Sequence, residues 1–350
     1  MKKSFLMFFL IAPLLTFSQV MKRSLKATRT TNAPKIDGVL NDVQWQNAEI
    51  AGDFIMKDPG SGELEPSNRK STVKVIYDDE AIYFAAKLKD DNPNDISRQF
   101  SSRDQIGQTD YFQVNINPNN DGLNDTEFIV MSTGVQADAK AKTSGGGSYR
   151  GKDYSWSAVW YSEVSISNDG WIVEMKIPYS ALRFSNTKVQ NWGINFFRKM
   201  HKHNEEYSWN LIDKTKGSYT QYSGELSGIE NVTPPVRLNF SPYASTSLTS
   251  YDGDTEFNKN VGMDLKYGIN ESFTLDATLI PDFGQTAFDE QVLNLGPFEQ
   301  QYSEKRSFFT EGTELFDKGR MFYSRRIGNA PIKRNEVEDN LNNNEEIIEN

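Results

Sequence analysis

The sequence predicts an all-β protein: an antiparallel β-sandwich of jelly-roll-like type, followed by an incomplete β-barrel-like region. Two observations carry that reading. Many short runs alternate apolar and polar residues with the period of two that a half-buried strand requires, and Gly, Pro, Asn and Asp turn signals recur between them. Nowhere does the pattern demand a helix of globular length.

The clearest run begins at Asn168-Asp169-Gly170, where Gly tolerates the positive φ of a tight hairpin. Trp171, Val173, Met175 and Ile177 then alternate with Ile172, Glu174 and Lys176. Pro178 ends the strand because it has no N–H to give the ladder. Tyr179 to Leu182 can make one helical turn, and a polar loop leads to a second strand with Trp192, Ile194 and Phe196 on one face. Joined by a short turn, these two aromatic strands read as the middle of the sandwich and their rings as its core.

The other elements follow in order. Asp42 is a candidate N-cap for a short helix around Trp45. A Gly-, Pro- and Ser-rich loop covers residues 58–71. Val73, Val75 and Tyr77 make a strand, Asp78-Asp79-Glu80 a turn, and Ile82, Phe84, Ala86 and Leu88 the returning strand. Residues 110–117 alternate with Phe112, Val114 and Ile116 inward, and pair with residues 127–132 across a polar loop. Gly145-Gly146-Gly147 marks a flexible loop before a strand at 157–167, and residues 207–212 and 222–229 supply the last strands. Thr233-Pro234-Pro235 is the domain boundary, so the sandwich covers residues 33–230 and the second region 236–330. In that region residues 237–248, 261–269 and 273–280 alternate, with mixed inward and outward sets. Leu265, Tyr267 and Ile269 face one way and Asp264, Lys266 and Gly268 the other, a weak dyad shared by outer-membrane barrel strands and ordinary sheet edges. Residues 335–350 carry six acidic side chains and no basic one, and read as a disordered tail.

Composition narrows the function. A net charge of −10 without a basic cluster argues against nucleic acid and against an anionic membrane surface. The absence of cysteine excludes disulfides, thiol chemistry and Cys-based zinc sites. At the N-terminus Lys2-Lys3 precede an apolar run over residues 5–15, and Thr16 and Ser18 place small residues before a cut at Gln19. This is the outline of a secretory signal peptide over residues 1–18, too short to span a bilayer.

Few constellations suggest chemistry. Asn117, Asn119, Asp121 and Asp125 set amide and carboxylate oxygens at alternate positions around Gly122, a spacing that suits calcium, although Phe128 stands where an EF-hand loop has its Glu. A hairpin loop with Asx turns explains the same residues. His201 and His203 are the only histidines and sit beside Glu205 and Glu206, as an exposed loop would. No nucleophile motif, zinc motif or phosphate loop is present, and no carboxylate pair stands out. Aromatic residues are frequent near strand ends: Trp156, Trp160, Tyr207, Trp209, Tyr219 and Tyr222. Such rings serve as core, or stack on the C–H face of a sugar whose hydroxyls pair with amides and carboxylates.

Several of these segments carry a resemblance when taken in order. Lys35-Ile-Asp-Gly-Val-Leu-Asn-Asp42 with Trp45, Val73-Lys-Val-Ile-Tyr-Asp78 with Ile82-Tyr-Phe84, residues 110–117, Gly170-Trp-Ile-Val-Glu174 with Ile177-Pro178, and Gly193-Ile-Asn195 together resemble carbohydrate-binding module family 9, a sandwich related to DOMON-like domains. Gly224 to Ile229, Pro281-Asp-Phe-Gly-Gln285, Leu293-Asn-Leu295 and Glu304-Lys-Arg306 with Phe308 to Gly312 resemble exported Gram-negative proteins in which such a module precedes an uncharacterised outer-membrane barrel domain. The resemblance implies non-catalytic binding of an oligo- or polysaccharide, in polysaccharide capture or breakdown, by an exported protein at the outer membrane. A plug or scaffold for a barrel, and an O-glycosyl hydrolase, are the alternatives. Family members clamp a sugar between two tryptophans. The first position corresponds here to Ile106-Gly107, flanked by Arg103, Asp104 and Gln108, and the second to the vicinity of Tyr219 and Tyr222. These five residues are the implied ligand site, with a polar wall facing an aromatic one.

Overall fold

The computed structural model of the protein describes residues 22–60, 62–123, 125–143, 149–154, 156–215, 217–251, 254–269 and 273–280, with 301, 302, 323 and 325. The expected signal peptide, the triglycine loop, the region from 281 except those last four residues, and the acidic tail lie outside the described residues.

The strands, in chain order, are β1 (Ser24–Lys26), β2 (Thr28–Arg29), β3 (Ile50–Ala51), β4 (Ile55–Asp58), β5 (Ser71–Tyr77), β6 (Ala81–Lys89), β7 (Tyr111–Asn117), β8 (Thr126–Met131) and β9 (Gln136–Thr143). They continue with β10 (Tyr149–Asp153), β11 (Tyr161–Ser167), β12 (Gly170–Pro178), β13 (Val189–Met200), β14 (Glu205–Ser208) and β15 (Gly224–Glu230). After Pro235 come β16 (Arg237–Tyr251), β17 (Asp254–Gly268) and β18 (Thr274–Leu279). The first sheet runs β1-β15-β13-β7-β8-β9-β10, with β14 bridging β13 and β4. The second runs β11-β12-β6-β5-β2, with β3 on β5.

The two sheets bury their facing sides against each other. Phe112, Val114, Ile116, Phe128, Ile194 and Phe196 of the first sheet meet Val73, Val75, Phe84, Ala86, Val173 and Met175 of the second. Phe84 and Phe196 touch edge to face across the layer at 6.1 Å. The sandwich expected from the alternation is therefore present, and the rings of Trp171 and Trp192 lie in its core.

Two details differ from the sequence reading. The aromatic strands β12 and β13 are not hairpin partners: one belongs to the second sheet and the other to the first. Pro178 and the 3₁₀ turn Tyr179–Ala181 carry the chain from layer to layer, with Leu182 and Phe184 buried in the passage. Alternation reports a buried face without saying which sheet owns it. Strands β9 and β10 lie where only a loop is legible, because their Ala, Lys and Gly residues have little intrinsic strand preference.

The third sheet, β16-β17-β18, sorts its residues more cleanly than the sequence suggests. Register places Leu238, Phe240, Pro242, Ala244 and Leu248 opposite Tyr267, Leu265, Met263, Val261 and Phe257, with Leu275, Ala277 and Leu279 beyond. All of these share one face, which the pair Thr246 and Lys259 interrupts between Ala244 and Leu248. The other face carries Asn239, Ser241, Tyr243, Asn260, Asp264, Lys266, Asp276 and Thr278.

Candidate carbohydrate-binding face

The side of the first sheet turned away from the core carries the polar residues of β7. Gln113, Asn115 and Asn117 alternate there with the buried Phe112, Val114 and Ile116. Their neighbours are Phe197 opposite Gln113 on β13 and Glu127 opposite Asn115 on β8. Gln113 Nε2 donates to Asn115 Oδ1 and, at 3.2 Å, to Glu127 Oε2. Alanines 137 and 139 of β9 leave this part of the sheet low, so Lys152 of β10 reaches over it. Its ammonium donates to Gln113 Oε1 and pairs with Glu127 at 3.0 Å.

Aromatic rings border this ladder. Tyr111 and Tyr154 pack with Ile106, Ile129, Met131 and Ala137 at one end. Tyr111 donates its hydroxyl to Glu206 at 3.4 Å, and Glu206 pairs with Lys57 at 2.8 Å. Lys57 lies over both Phe197 (5.3 Å) and Tyr219 (4.9 Å), and Phe197 pairs with Gln113, so Tyr219 stands on the β13 side of the ladder. Lys152 and Lys57 are each matched by a carboxylate, so the face has no excess of positive charge, and beneath Lys152 the side chains of Gln113, Asn115 and Glu127 are buried, at 4%, 5% and 2% exposed.

Local sequence explains where Tyr219 sits. The 3₁₀ turn Tyr219–Tyr222 is held by Asn210, whose Nδ2 donates to Tyr222 O at 2.6 Å, while Asn195 Oδ1 accepts from Asn210 N at 2.9 Å. Thr220 donates its hydroxyl to Gly122 O and so docks the turn on the loop between β7 and β8. Gly193 makes that docking possible: a Cβ there would meet Asn120 Oδ1 at 3.1 Å and Asn117 Cβ at 3.2 Å.

The implied ligand residues are thus distributed unequally. Tyr219 borders the polar face, and Tyr222 is half-buried in the same turn, with its hydroxyl pKa raised by burial and by Asp213. Arg103 and Asp104 serve β9 instead. Arg103 donates to Gln136 Oε1 at 2.7 Å, to Asp138 Oδ1 and to Ala158 O at 3.1 Å. Asp104, at φ 64°, accepts from Asp138 N at 3.0 Å. Asp138 points to the core side, where Trp160 Nε1 donates to it at 3.2 Å, so this group does not face Tyr219. Gln108 is exposed, and its N–H donates to Gln99.

Gln113, Asn115, Glu127, Lys152, Tyr111 and Tyr154 were not among the sequence candidates. The signal for the first two is present in the sequence: polar amides at alternate positions of a central strand demand a reason. Of the expected metal ligands, Asn117 and Asp125 are buried, whereas Asn119 and Asp121 are exposed on the loop. His203 faces Asp91 at 3.9 Å on a surface turn.

Family comparison fits this architecture. The chain matches the model described as carbohydrate family 9 binding domain-like over residues 36–223, and a domain of unknown function, DUF5916, over residues 234–350. It is similar to a carbohydrate binding module family 9 from Caldicellulosiruptor kristjanssonii solved with cellotriose, at 17% identity over 59% of this chain and 93% of that one, TM-score 0.41. The same module with glucose gives 17% over 61% and 100%, TM-score 0.42. A carbohydrate-binding protein from Bacteroides uniformis gives 14% over 59% and 99%, TM-score 0.47. No curated protein matches the chain. With the family model covering more than half of its residues, the protein belongs to the carbohydrate family 9 binding domain-like family.

Proposed function

We propose that the protein binds an oligo- or polysaccharide, without cleaving it, on the polar face of the first sheet. One observation carries this reading: a ladder of amides and a carboxylate, Gln113, Asn115 and Glu127, is bordered by the rings of Tyr111 and Tyr154 and, on the β13 side, by Tyr219. A pyranose offers that arrangement an apolar C–H face for the rings and hydroxyls for the ladder. Lys152 covers the buried ladder, so a sugar hydroxyl reaches Gln113 or Glu127 only by displacing the Lys152 ammonium and taking over its contacts. Paired charges favour a neutral glycan over a uronate.

The test is titration calorimetry of the protein against soluble oligosaccharides, beginning with cellotriose and glucose. Binding that is weakened about tenfold in Tyr219→Ala, the value of one aromatic contact, supports the face. Binding that is equal in Tyr219→Ala and Tyr222→Ala removes the turn from the site. Release of reducing ends from a polysaccharide would replace binding by hydrolysis.

The same reading has the protein exported and set at an outer membrane, where it serves polysaccharide capture. Support comes from the apolar face of the third sheet. From Leu238 to Leu248 it runs roughly 33 Å along the strand, broken near its end by Thr246 and Lys259, and a tilt of about 40° reduces that to about 25 Å, the apolar height of an outer-membrane barrel. That face equally favours a second reading, a scaffold for a barrel with no sugar ligand. Recovery from the envelope fraction with Gln19 as N-terminus supports export, and intact Met1 in the cytosol overturns it. No binding across a broad glycan panel puts the scaffold first.

A further inference from the structure

Phe100 is 74% exposed. A single apolar side chain in water is ordinary on a protein surface, but the loop that carries this one is tied down along its length. Ser97 O accepts from Asp110 N at 3.0 Å and from the hydroxyls of Thr109 at 2.8 Å and Ser132 at 2.7 Å. Gln108 N donates to Gln99 Oε1 at 2.7 Å, and the Ser101 hydroxyl donates to the Met131 sulfur at 3.4 Å. At the tip, Asp104 N donates to Gln136 O at 3.2 Å. The ring is thus held in water by a fixed backbone, which is how a rigid scaffold presents a binding residue.

Its direction follows from its neighbours. A Cβ at Gly107 would meet Gln99 Oε1 at 3.3 Å and Ser101 Cβ at 3.7 Å, so the side chains on either side of Phe100 both turn into the loop. Phe100 is left to the solvent side. Its place is the end of the outer face of the first sheet. Met131, which Ser101 touches, pairs with Tyr111, and Ile106 on the returning arm of the loop packs with Tyr111 and Tyr154. Gln113 lies two residues further along β7, roughly 7 Å from the Tyr111 pair.

We infer that Phe100 extends the proposed glycan face beyond Tyr111 and makes it select oligosaccharide chains over monosaccharides. The inference rests on the reading of that face as a glycan site. A pyranose above Gln113 has Tyr219 on its β13 side and is too far along the strand to cover Phe100. A chain continuing along β7 passes Tyr111 and brings its next unit to the Phe100 ring, whose face takes the apolar C–H side of the sugar. The ligand class is therefore a neutral, linear oligosaccharide of at least two units.

The experiment titrates the full chain calorimetrically with glucose and with cellotriose. The wild type should bind cellotriose about tenfold more tightly than glucose, the value of one further aromatic contact. Phe100→Ala should lose that difference: its affinity for cellotriose falls about tenfold, while that for glucose stays within about twofold. Phe100→Trp should keep the difference, a rescue that a role in merely holding the loop would not give. Both variants should unfold at the wild-type urea concentration because the side chain is exposed, and an earlier midpoint in Phe100→Ala would mark the ring as a support of the loop and overturn the assignment. Equal binding of the two sugars by the wild type, or unchanged cellotriose binding in Phe100→Ala, overturns the role of Phe100 while Tyr219→Ala still reports on the face. Equal weakening of both sugars in Phe100→Ala puts the ring against the first sugar and overturns the selection of chains. If only another glycan of a broad panel binds, its mono- and trisaccharide replace these two, and no binding across the panel overturns the face and Phe100 with it.

Discussion

Trp45 donates its indole N–H to Glu174 Oε1 at 3.0 Å, and the same carboxylate takes Asp37 N at 3.0 Å and Gly38 N at 2.9 Å on its other oxygen. Glu174 is fully buried on the outer side of the second sheet, where Trp45, Ala48, Tyr83 and Ala85 form a separate small core. The run Ile36-Asp-Gly38 and the Glu of Gly170-Trp-Ile-Val-Glu174 are therefore two halves of one contact, although they lie far apart in the chain. Gly38 adds a steric reason. It has φ 78°, and a Cβ there would meet Val164 C at 3.1 Å.

Glu174→Ala strands three N–H donors at once, two of them buried and that of Asp37 part-buried. At roughly 1 to 3 kcal/mol for each unsatisfied group, partly relieved by relaxation, the expected loss is about 3 to 5 kcal/mol. Glu174→Gln keeps the shape but turns an NH₂ toward N–H donors, and should cost less. Urea unfolding followed by tryptophan fluorescence measures both. A loss under about 1 kcal/mol for Glu174→Ala would show that the segment 36–45 does not depend on this carboxylate.

Much of the sandwich was legible, and the reason is burial on one side. Phe112, Val114 and Ile116 alternate with Gln113, Asn115 and Asn117 because one face meets the core. Which sheet a strand joins was not legible, since Trp171 and Trp192 are buried alike in opposite layers. The role of Lys152 is not legible for a different reason. Its reach to Gln113 depends on the low alanine surface of β9, which no local pattern in β10 reports. Arg103 lies near the strand end that the family pattern points to, yet its guanidinium turns to Gln136 and Asp138. Position along the chain gave its neighbourhood without its direction.

Arg198 joins the two layers. Its side chain is fully buried and donates to Arg69 O at 2.8 Å and Lys89 O at 2.6 Å from β13, with Ser71 Oγ at 3.3 Å and Asp90 at 3.7 Å. Arg198→Ala leaves buried carboxylates at Asp90, Glu65 and Asp110 without their cation. The expected loss is about 3 to 5 kcal/mol, larger than for a cavity-neutral Arg198→Met with Asp90→Asn. Equal losses in the two proteins would show that packing, and not charge, is what Arg198 supplies.

Asp110 makes the fold sensitive to pH. Burial pushes its carboxyl up to about 6, against the bond it accepts from His201 N at 2.8 Å and the attraction of Arg198. A carboxyl raised above its unfolded value of about 3.8 penalises the fold when ionised, and the penalty fades as pH falls through 6 toward 4. Asp110→Asn keeps the oxygen acceptor and removes the titration. Relative to the wild type it should therefore gain about 2 to 3 kcal/mol at pH 7 and converge with it near pH 4. Parallel stability curves for the two proteins would exclude Asp110 as the group responsible.

Two substitutions separate the polar face from the strand end beside it. Gln113 lies at the centre of the ladder and touches Asn115, Glu127 and Lys152, all of them groups a sugar hydroxyl could replace. Arg103 lies on the other side of β9, tied to Asp138, whose carboxylate Trp160 also holds. Gln113→Ala should weaken glycan binding by roughly tenfold or more, because a buried carboxylate loses its amide partner where the sugar must be recognised. Its stability should fall too, by about 1 to 3 kcal/mol, because Asn115 Oδ1 and Glu127 lose a donor, so affinity is read on the folded protein. Arg103→Ala should lower stability alone. It removes the ion pair with Asp138 and hydrogen bonds to Gln136 and to Ala158 O, lowering stability by about 1 to 3 kcal/mol while the affinity of the folded protein stays within about twofold of wild type. Calorimetric titration and urea unfolding on both variants decide the matter. Loss of affinity in Arg103→Ala with full affinity in Gln113→Ala would move the binding site from the polar face of β7 to the loop before it.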